Sequence, residues 1–412
     1  MKLLLVTYIY QPDNGPSASM FALLCEKLVK MGHDVTVIAT VPHYPSGFVD
    51  KKYQREWLQR SIENGVRVIR VRIPSLDRRK FYKRLLQFLF FQIGASIASI
   101  SENPDVAIIT NPALNKGAAF FSIATIRNKP SIFLVSDVYP DVGFQTGVFR
   151  HWSVIHFVKV IEQYCIQHAN LVWSFSESFL QRLYQLGAKP ERTDVLGAWV
   201  DTNFFQPLSR NNAFSKEFGL DHKFVILYAG NLGLSQGLEN ILLAAKELTS
   251  YPEIQFVFVG DGTGRDALMT KAAQLQINNV QFIPFQPWER VPEVMASADI
   301  TVLSLKTGIG MQSLPSKTFS YLASGKPILA IVDPDSAIWN LIKESQSGIC
   351  VSFGSPNQIA EAILKMQNDP DQRKRMGENA RTWAVQNYSL ERAANHILQM
   401  AHRAIEIHTL DD

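Results

Sequence analysis

The residues with the clearest chemical potential lie between Gly308 and Leu329, where a lysine and a serine follow a glycine-containing loop. Pro315 suits the first turn of a helix, and the start of this helix would present unpaired backbone N–H groups and a positive dipole end. Lys317 adds a full charge near that end, and Ser320 would share its face. The pattern predicts a binding site for an anion such as a diphosphate. An ordinary αβ unit with a solvated lysine is the alternative that this stretch alone leaves open.

Three further stretches could position a ligand, and each follows an apolar run. Gly15 lies in a loop after the first run, and residues 230–237 (GNLGLSQG) form a second glycine-containing loop. Residues 136–141 (SDVYPD) place two acidic side chains close together. Ligands of open α/β sheets bind at the carboxyl ends of the strands, so these are candidate binding loops. The spacing of GNLGLSQG does not fit the G-x-G-x-x-G dinucleotide fingerprint.

The elements that would carry these loops alternate between strand and helix along the chain. Strand-like apolar runs cover residues 2–10, 35–40, 66–73, 106–110, 131–136, 171–176, 224–229, 255–259, 280–283, 300–305 and 328–332. This alternation predicts an α/β protein with two doubly wound, Rossmann-like domains whose parallel sheets face across a cleft. We expect an N-terminal domain over residues 1–205, a C-terminal domain over 206–385, and a last helix over 386–412 that packs back on the first domain.

Composition excludes several classes of partner and cofactor. The net charge of +4, from 41 basic and 37 acidic residues, gives no electrostatic case for a nucleic-acid partner. Three widely spaced cysteines indicate a reducing compartment, and we expect a cytoplasmic protein. The acidic turns at residues 333–335 and 369–371 have proline between the acids, which favours turns over metal ligands. We therefore expect neither a metal nor another cofactor.

Several motifs, in the same order along the chain, resemble the retaining GT-B glycosyltransferases of family 4, the glycosyl transferases group 1. Residues 32–40 (GHDVTVIAT) resemble the family's GHEVTVVT. Residues 228–242 (YAGNLGLSQGLENIL) resemble the YAGNIG-x-x-QGLE of a bacterial subgroup that makes colanic acid, capsule and O-antigen. Similar matches lie between these two stretches at residues 136–141 and 195–207, and after them at residues 260–262, 282–305 and 315–329. The resemblance covers nearly the whole chain.

The resemblance implies a nucleotide-sugar donor, UDP- or GDP-linked, in the C-terminal domain, and a growing, lipid-linked glycan acceptor in the N-terminal domain. It implies hexosyl transfer with retention of configuration, without a metal, in the synthesis of cell-surface polysaccharide such as lipopolysaccharide, colanic acid or capsule. The positions implied to bind the donor are Gly15, Asn231, Gln236, Gly262, Phe285, Gln312, Leu314, Ser316, Lys317 and Ser320.

Some of these positions depart from the pattern of relatives. Many relatives carry glutamates where this chain has Gln312 and Ser320, and the second glutamate typically binds the ribose of the donor. Many relatives also carry Arg and Lys where this chain has Asn231 and Gln236. Lys317 is then the best cation for the leaving diphosphate, together with backbone N–H groups of residues 310–315.

Two residues are expected to be catalytic, Asp137 and Lys317. Asp137 would orient the acceptor or stabilise positive charge at the anomeric carbon, although many relatives carry His where Ser136 precedes it. Gly15 would allow the first loop to approach the donor phosphate closely. The acceptor hydroxyl would pass its proton to the leaving phosphate, so that no protein base is required.

A basic and aromatic segment precedes a long uncharged run. Five basic residues lie between Arg78 and Arg84, with Phe81 and Tyr82 among them, and residues 85–101 carry no charge. This composition predicts an interfacial anchor, through residues 78–91, on an anionic membrane surface at the inner face of the plasma membrane. A solvated charge run beside a core helix is the alternative.

Two rival functions stay open at this point. A nucleotide-sugar 2-epimerase shares the GT-B architecture and needs no acceptor. A non-catalytic partner subunit of another transferase would explain why Gln312 and Ser320 replace the usual acidic residues.

Overall fold

The computed structural model describes residues 1–13, 16–44, 46–78, 80–141, 152–308 and 314–411. The chain forms two compact units. The first unit comprises Met1–Ala198 with Leu390–Asp412, and the second comprises Trp199–Ser389. The units thus divide after residues 198 and 389, whereas the sequence patterns predict boundaries after residues 205 and 385.

The first unit is built on a sheet of eight strands in the order β3-β4-β2-β1-β5-β6-β7-β8. Successive side chains of a strand point to opposite faces of its sheet, and the neighbours Leu4 and Leu5 of β1 are both almost fully buried. Both faces of the sheet are therefore covered by helices, as in a doubly wound fold. The strands are β1 (Lys2–Val6), β2 (Asp34–Thr40), β3 (Leu58–Glu63), β4 (Val66–Val71), β5 (Val106–Thr110), β6 (Ser131–Val135), β7 (Leu171–Ser174) and β8 (Thr193–Val195).

One edge of this otherwise parallel sheet is antiparallel. β3 pairs antiparallel with β4 through a tight turn at Asn64-Gly65, where φ is 50° and 84°. Asn-Gly favours such turns because both residues tolerate positive φ. The sequence reading misses β3 because its segment, LQRSIE, is largely polar and leaves Ile62 75% exposed. Its pairing partner β4, in contrast, is apolar and correctly predicted.

The helices of the first unit lie in two sets. α2, α3 and α4 contribute Phe91, Phe120 and Cys165 to the core that includes Leu4 and Phe133 of the sheet. α1 packs against α14, which also contacts β5, β6 and β7. The helices are α1 (Pro16–Lys30), α2 (Phe81–Ser101), α3 (Gly117–Phe120) followed by a π-helical turn (Phe121–Ile126), α4 (Trp152–His168), α5 (Leu180–Gln185) and α14 (Leu390–Asp411).

The second unit is built on a sheet of six parallel strands in the order β11-β10-β9-β12-β13-β14. The strand order runs outward from β9 to β11 on one side of the sheet and from β12 to β14 on the other, so the direction of winding reverses between β9 and β12. The strands are β9 (Phe224–Ala229), β10 (Ile254–Val259), β11 (Val280–Ile283), β12 (Ile300–Ser304), β13 (Ile328–Ile331) and β14 (Gly348–Val351). The helices are α6 (Ala213–Glu217), α7 (Glu239–Glu247), α8 (Arg265–Gln274), α9 (Val291–Ala296), α10 (Ser316–Ala323), α11 (Ala337–Ser345), α12 (Pro356–Asn368) and α13 (Pro370–Tyr388).

These two sheets confirm the predicted fold class, an α/β protein with two Rossmann-like units. The reversal between β9 and β12 matters for function, because ligands of open α/β sheets bind beyond the carboxyl ends of the strands at such a point.

Candidate functional site

The candidate site of the second unit lies at this switch point, where β9 ends at Ala229 and β12 ends at Ser304. The loop after β9 contains Asn231 and Gln236, and α10 brings in Lys317 from the far side of β12. The loop after β10 lies beside the loop after β9, because β9 and β10 pair in register up to Ala229 and Val259. The sheet topology therefore collects three separate predicted motifs at one edge.

Lys317 lies over the start of the loop that follows β9. Its Nζ donates a hydrogen bond to the hydroxyl of Tyr228 and lies 3.8 Å from the centre of the Tyr228 ring. Gly230 lies directly beneath it, because a Cβ on this glycine would come within 3.2 Å of Nζ. Burial lowers the pKa of Lys317 to about 7. The amine is thus held in place before any anion arrives, and a nearby negative charge would favour its protonated form.

Tyr228 connects Lys317 to the two loop residues that the family resemblance singled out. Its hydroxyl lies 2.8 Å from the carbonyl oxygen of Asn231 and 3.1 Å from Oε1 of Gln236, and its one proton can go to either acceptor. The ring is only 1% exposed. Sequence reasoning missed this residue, and the available signal was a hydroxyl near the end of an otherwise apolar strand, FVILYA.

The loops after β9 and β10 pack backbone against backbone through glycines. A Cβ on Gly260, where φ is +143°, would lie 2.0 Å from the carbonyl oxygen of Gly230. A Cβ on Gly262, where φ is +157°, would lie 2.4 Å from Oδ1 of Asn231. Leu232 then donates its N–H to the carbonyl of Asp261 at 2.8 Å. Only glycine allows this approach, which fixes Asn231 beside Gly262.

Three more of the predicted donor positions, Leu314, Ser316 and Ser320, lie at or near the start of α10. Pro315 precedes the helix and has no side-chain group that could cap its N–H donors. Ser316 is exposed at the first helical position, and Leu314 is half-buried before it. The hydroxyl of Ser320 donates to the carbonyl of Lys317 at 3.0 Å, so it is used within the helix. Phe319, Leu322 and Ala323 form the buried face of α10.

Of the other predicted donor positions, only Phe285 lies among the described residues, and no hydrogen bond or aromatic contact within them joins it to this cluster. Phe285 follows β11 at the same edge of the sheet and is 62% exposed. Gly15 and Gln312 lie outside the described residues.

Asp137 lies in the first unit, in the loop after β6. Asn111, at the end of β5, orders this loop, because its Oδ1 accepts from both N–H and Oγ of Ser136 at 3.0 Å. Asn111 Nδ2 also donates to the carbonyl of Asp137. Asp137 is at the surface, yet desolvation by the surrounding protein raises the pKa of its carboxyl group. The two predicted catalytic residues therefore belong to different units.

A polar cluster that the sequence reading missed lies at the carboxyl edge of the first sheet. Asp13 Oδ1 accepts the N–H groups of His43 and Tyr44, each at 2.8 Å. His43 is buried, and burial lowers its pKa to about 4, so the ring is neutral near pH 7. Its Nδ1 lies 3.0 Å from the carbonyl of Val41 and its Nε2 lies 3.2 Å from Arg78 Nη1. These partners assign the proton to Nδ1 and leave Nε2 to accept from Arg78. The available signal was His43-Tyr44, polar residues directly after β2.

Metal-binding geometry is not found in the part of the chain that the structure describes, where no group of three or more His, Cys, Asp or Glu side chains could hold an ion. The absence of a metal cofactor stays a prediction.

Comparison with sequence families gives a match for each unit. Residues 15–199 match the glycosyl transferase 4-like domain, and residues 210–383 match the glycosyl transferases group 1. The chain belongs to the glycosyltransferases of the GT-B type.

Individual relatives agree with this assignment. The glycosyltransferase is 27% identical over 334 residues to the protein of Escherichia coli (strain K12) named "Putative colanic acid biosynthesis glycosyl transferase WcaI", covering 79% of this chain and 82% of that one. Its structure resembles sucrose-phosphate synthase from Thermosynechococcus elongatus, with a TM-score of 0.71 and 14% identity over 98% of both chains. It also resembles Anabaena HepE in complex with UDP, with a TM-score of 0.69 and 16% identity over 97% of this chain and 99% of that one; HepE was also solved with UDP-glucose.

Proposed function

We propose that this glycosyltransferase moves a sugar from a UDP- or GDP-linked donor to a lipid-linked glycan, with retention of configuration, in the synthesis of a cell-surface polysaccharide. The observation that carries the proposal is the position of Lys317, whose amine is held by Tyr228 over Gly230 at the switch point of the second sheet. A fixed cation beside close-packed glycine loops suits a diphosphate, which needs positive charge and backbone N–H donors.

The donor would bind to the second unit. Lys317 and the N–H groups at the start of α10 would contact the diphosphate, and the loops after β9 and β10 would approach it closely through Gly230 and Gly262. The structures of HepE with UDP and UDP-glucose support a uridine nucleotide as the first donor to test. Ser320, in the place of a glutamate, would contact the ribose through water, because its hydroxyl already bonds to the helix backbone.

The chemistry would consist mainly of stabilising the leaving group. As the bond from the anomeric carbon to the diphosphate breaks, negative charge grows on the phosphate oxygens, and Lys317 would neutralise it. The leaving phosphate would take the proton of the acceptor hydroxyl on the same face of the sugar, which gives retention without a protein base. Asp137 would orient the acceptor or stabilise positive charge at the anomeric carbon, and Gly15 would admit the donor phosphate to the first loop.

The proposed acceptor is supported by one relative, and the proposed cellular location is supported by one segment of the chain. The name of WcaI connects that relative to colanic acid biosynthesis. We propose that this glycosyltransferase works in the cytoplasm on the inner face of the plasma membrane, to which residues 78–91 would attach it peripherally. Lys80 and Tyr82 are exposed in this segment, so both can meet an anionic surface.

The test is a transfer assay with the purified chain, UDP- and GDP-sugars, and a lipid extract that contains undecaprenyl-linked or similar glycan lipids. We expect nucleotide release that depends on the lipid, a labelled sugar in the lipid phase, and the donor's anomeric configuration in the product by NMR. A new sugar epimer formed from donor alone would instead identify a 2-epimerase. Donor binding with no release from any donor, by a folded protein, would favour the non-catalytic subunit.

A further inference from the structure

The first unit contains an apolar groove between α2, α3 and α4. The groove encloses about 600 Å³, which lies within the range of roughly 300–1,000 Å³ typical of small-molecule sites. Its wall includes Leu85, Phe88 and Leu89 of α2, Phe121 of the π-helical turn, and Phe157 and Tyr164 of α4. Most of the lining is hydrocarbon, so an occupant would be recognised by apolar contact.

The polar side chains in the wall are already used within the protein. The amide of Gln92 donates to the carbonyl oxygens of Ala113 and Leu114, each at 3.1 Å, and accepts the N–H of Ala118 at 2.8 Å. The hydroxyl of Tyr164 lies 2.6 Å from the hydroxyl of Thr125. Both side chains are therefore satisfied without a ligand, and the groove offers its occupant mainly hydrocarbon contacts.

The apolar side chains around the groove are left in water. Leu89 is 54% exposed, Phe121 44% and Phe157 57%, and these three belong to three different elements. A contiguous exposed patch of this kind marks a binding surface in soluble proteins, whereas single exposed apolar residues do not. The exposed residues flank one depression, so the structure favours an occupant that fills it.

Helix α2 itself is part of the core rather than a free segment. Residues Tyr82–Ser101 are long and apolar enough to cross a membrane by length and composition, with 33% of the span buried inside the protein. However, Phe91, Ala95 and Ala98 are fully buried against the first sheet. The inner face of α2 is thus committed to the fold, and its outer side is available to form the groove wall.

A cation lies next to one end of the groove. The ring of Phe88, in the wall, packs edge-to-face on Tyr8 at 5.1 Å. The guanidinium of Arg78 lies 5.5 Å from the centre of the same Tyr8 ring. His43 accepts one of the five N–H donors of Arg78 and thereby fixes its position. An anionic group bound by Arg78 would be separated from the groove wall at Phe88 by the Tyr8 ring. The first several carbons of an alkyl phosphate would therefore pass beside this ring, and the rest of the chain would lie in the groove.

We propose that this groove binds the hydrocarbon chain of a phosphate-linked lipid, and that Arg78 binds its phosphate. The inference rests on the proposed function only in identifying this lipid as the acceptor. A concave groove of this size holds one chain, while a bilayer surface would use the protruding residues of α2 outside it, such as Ile97. The joint presence of an enclosed apolar wall and a fixed cation favours a single amphiphile.

The test uses the full-length protein and hexadecyl phosphate with a terminal pyrene, kept below its micellar concentration and titrated by fluorescence. Ala118 is exposed and lines the groove, so Ala118→Trp should fill it without disturbing the core. Each buried CH₂ group contributes about fourfold to a binding constant. If the introduced tryptophan side chain displaces two or more CH₂ groups of the ligand from the groove, binding should weaken at least about tenfold. Ile126→Trp, at a 62% exposed position that does not line the groove, is the matched control and should bind normally.

A second pair of variants tests the phosphate contact. Arg78→Gln should weaken binding of the alkyl phosphate about tenfold and leave binding of the matching pyrenyl alcohol unchanged. Arg78→Lys should retain part of the phosphate affinity. Should Ala118→Trp fail to fold, Leu89→Asp places a charge in the same wall and carries the same expectation.

Several outcomes would overturn the proposal. If the wild-type protein does not bind the monomeric alkyl phosphate, the groove is not a site for a hydrocarbon chain. The same conclusion follows if Ala118→Trp binds the alkyl phosphate like wild type and has an unchanged melting temperature. Binding only to vesicles, weakened by Ile97→Gln and not by Ala118→Trp, would make this face a bilayer contact instead. UDP binding and sugar transfer are measured on the same samples. Failed transfer with intact chain binding would then count against the proposed function and leave the groove inference standing.

Discussion

Lys317 shows how one side chain can combine two requirements of a diphosphate site. Its stem is packed over Gly230 and its amine is bonded to Tyr228, so the cation is positioned before the donor binds. The same packing removes water from the amine and lowers its pKa to about 7. Near pH 7 we therefore expect the residue to carry less than a full charge in the empty site and to gain charge when an anion binds.

Removal of this amine should slow the reaction. We expect Lys317→Ala to reduce turnover about 100-fold or more, the effect of losing one donor that stabilises a developing negative charge. The measurement is kcat for nucleotide release at saturating donor. Lys343→Ala, at an exposed lysine of α11 in the same unit, is the matched control and should keep wild-type turnover. Equal turnover in the two variants would place the leaving diphosphate elsewhere.

The titration of Lys317 should appear in the pH dependence of donor binding. In the free protein the pKa is about 7, and the diphosphate should raise it by favouring the charged amine. The affinity for UDP should then be highest below pH 7 and fall as the pH rises above 7, by at most about tenfold per unit. Calorimetry from pH 6 to 9 would measure this affinity. Lys317→Met is the control, because any pH dependence that comes from the titration of UDP itself should appear equally in the variant and can be subtracted. A slope that Lys317→Met retains would contradict this assignment.

At the scale of elements, the donor site depends on two glycine loops that fit only in one arrangement. We expect Gly262→Ala to push Asn231 or Leu232 away, because its Cβ would lie 2.4 Å and 2.8 Å from their Oδ1 and N atoms. The variant should lose about 1–3 kcal/mol of unfolding free energy and bind UDP more weakly. Gly219→Ala is the control, since φ is +66° there and nothing lies within 4 Å of the added Cβ. Chemical denaturation would measure the unfolding free energy of both variants, and calorimetry would measure their affinity for UDP. Unchanged UDP affinity in Gly262→Ala would argue against a role for this loop in donor binding.

Most of the elements follow from the sequence because their signals are local. Buried parallel strands such as β9 and β12 are continuous apolar runs, and Lys317 lies in a recognisable strand-loop-helix pattern. The contacts that make the site are not local. Tyr228 and Lys317 are 89 residues apart, and their bond depends on the crossing of the sheet between β9 and β12.

The first unit shows a second limit of sequence reading. His43 and Arg78 are separated by 35 residues, and their pairing depends on the position of β2 beside the start of α2. Composition alone presents Arg78 as one of a run of surface charges. In the structure it is held by a buried neutral histidine and two aromatic rings, so it is a different kind of cation from Lys80.

At the scale of the whole molecule, the protein should bind anionic membranes reversibly. Lys80 and Lys83 are exposed or half-exposed at the start of α2, and each should contribute about 1 kcal/mol near an anionic leaflet. We expect binding to phosphatidylglycerol vesicles that weakens with salt, and that falls about tenfold or more in the double variant Lys80→Gln/Lys83→Gln. Cosedimentation measures it, with Lys246→Gln/Lys374→Gln on the second unit as control. No binding by wild type at low salt would make residues 78–91 a purely structural segment.

Activity should also survive removal of divalent ions. Lys317 and the start of α10 would supply the positive charge that a metal supplies in other transferases. We expect transfer to proceed at an undiminished rate in EDTA, measured as nucleotide release. Activity that EDTA abolishes and Mg²⁺ or Mn²⁺ restores would show that the leaving diphosphate needs an ion.

The return of α14 to the first unit has a consequence for the order in which the protein is made. Residues 1–198 are translated before the second unit, yet the layer formed by α1 is closed only when residues 390–411, which follow the second unit, have also emerged. The ion pair between Lys27 and Glu391, and that between Arg192 and Asp411, join parts of the gene that are translated far apart in time. Until α14 has emerged, we expect the nascent first unit to keep the surface that α14 covers exposed to water. A stop codon near residue 389 would therefore harm the beginning of the protein rather than its neighbouring unit.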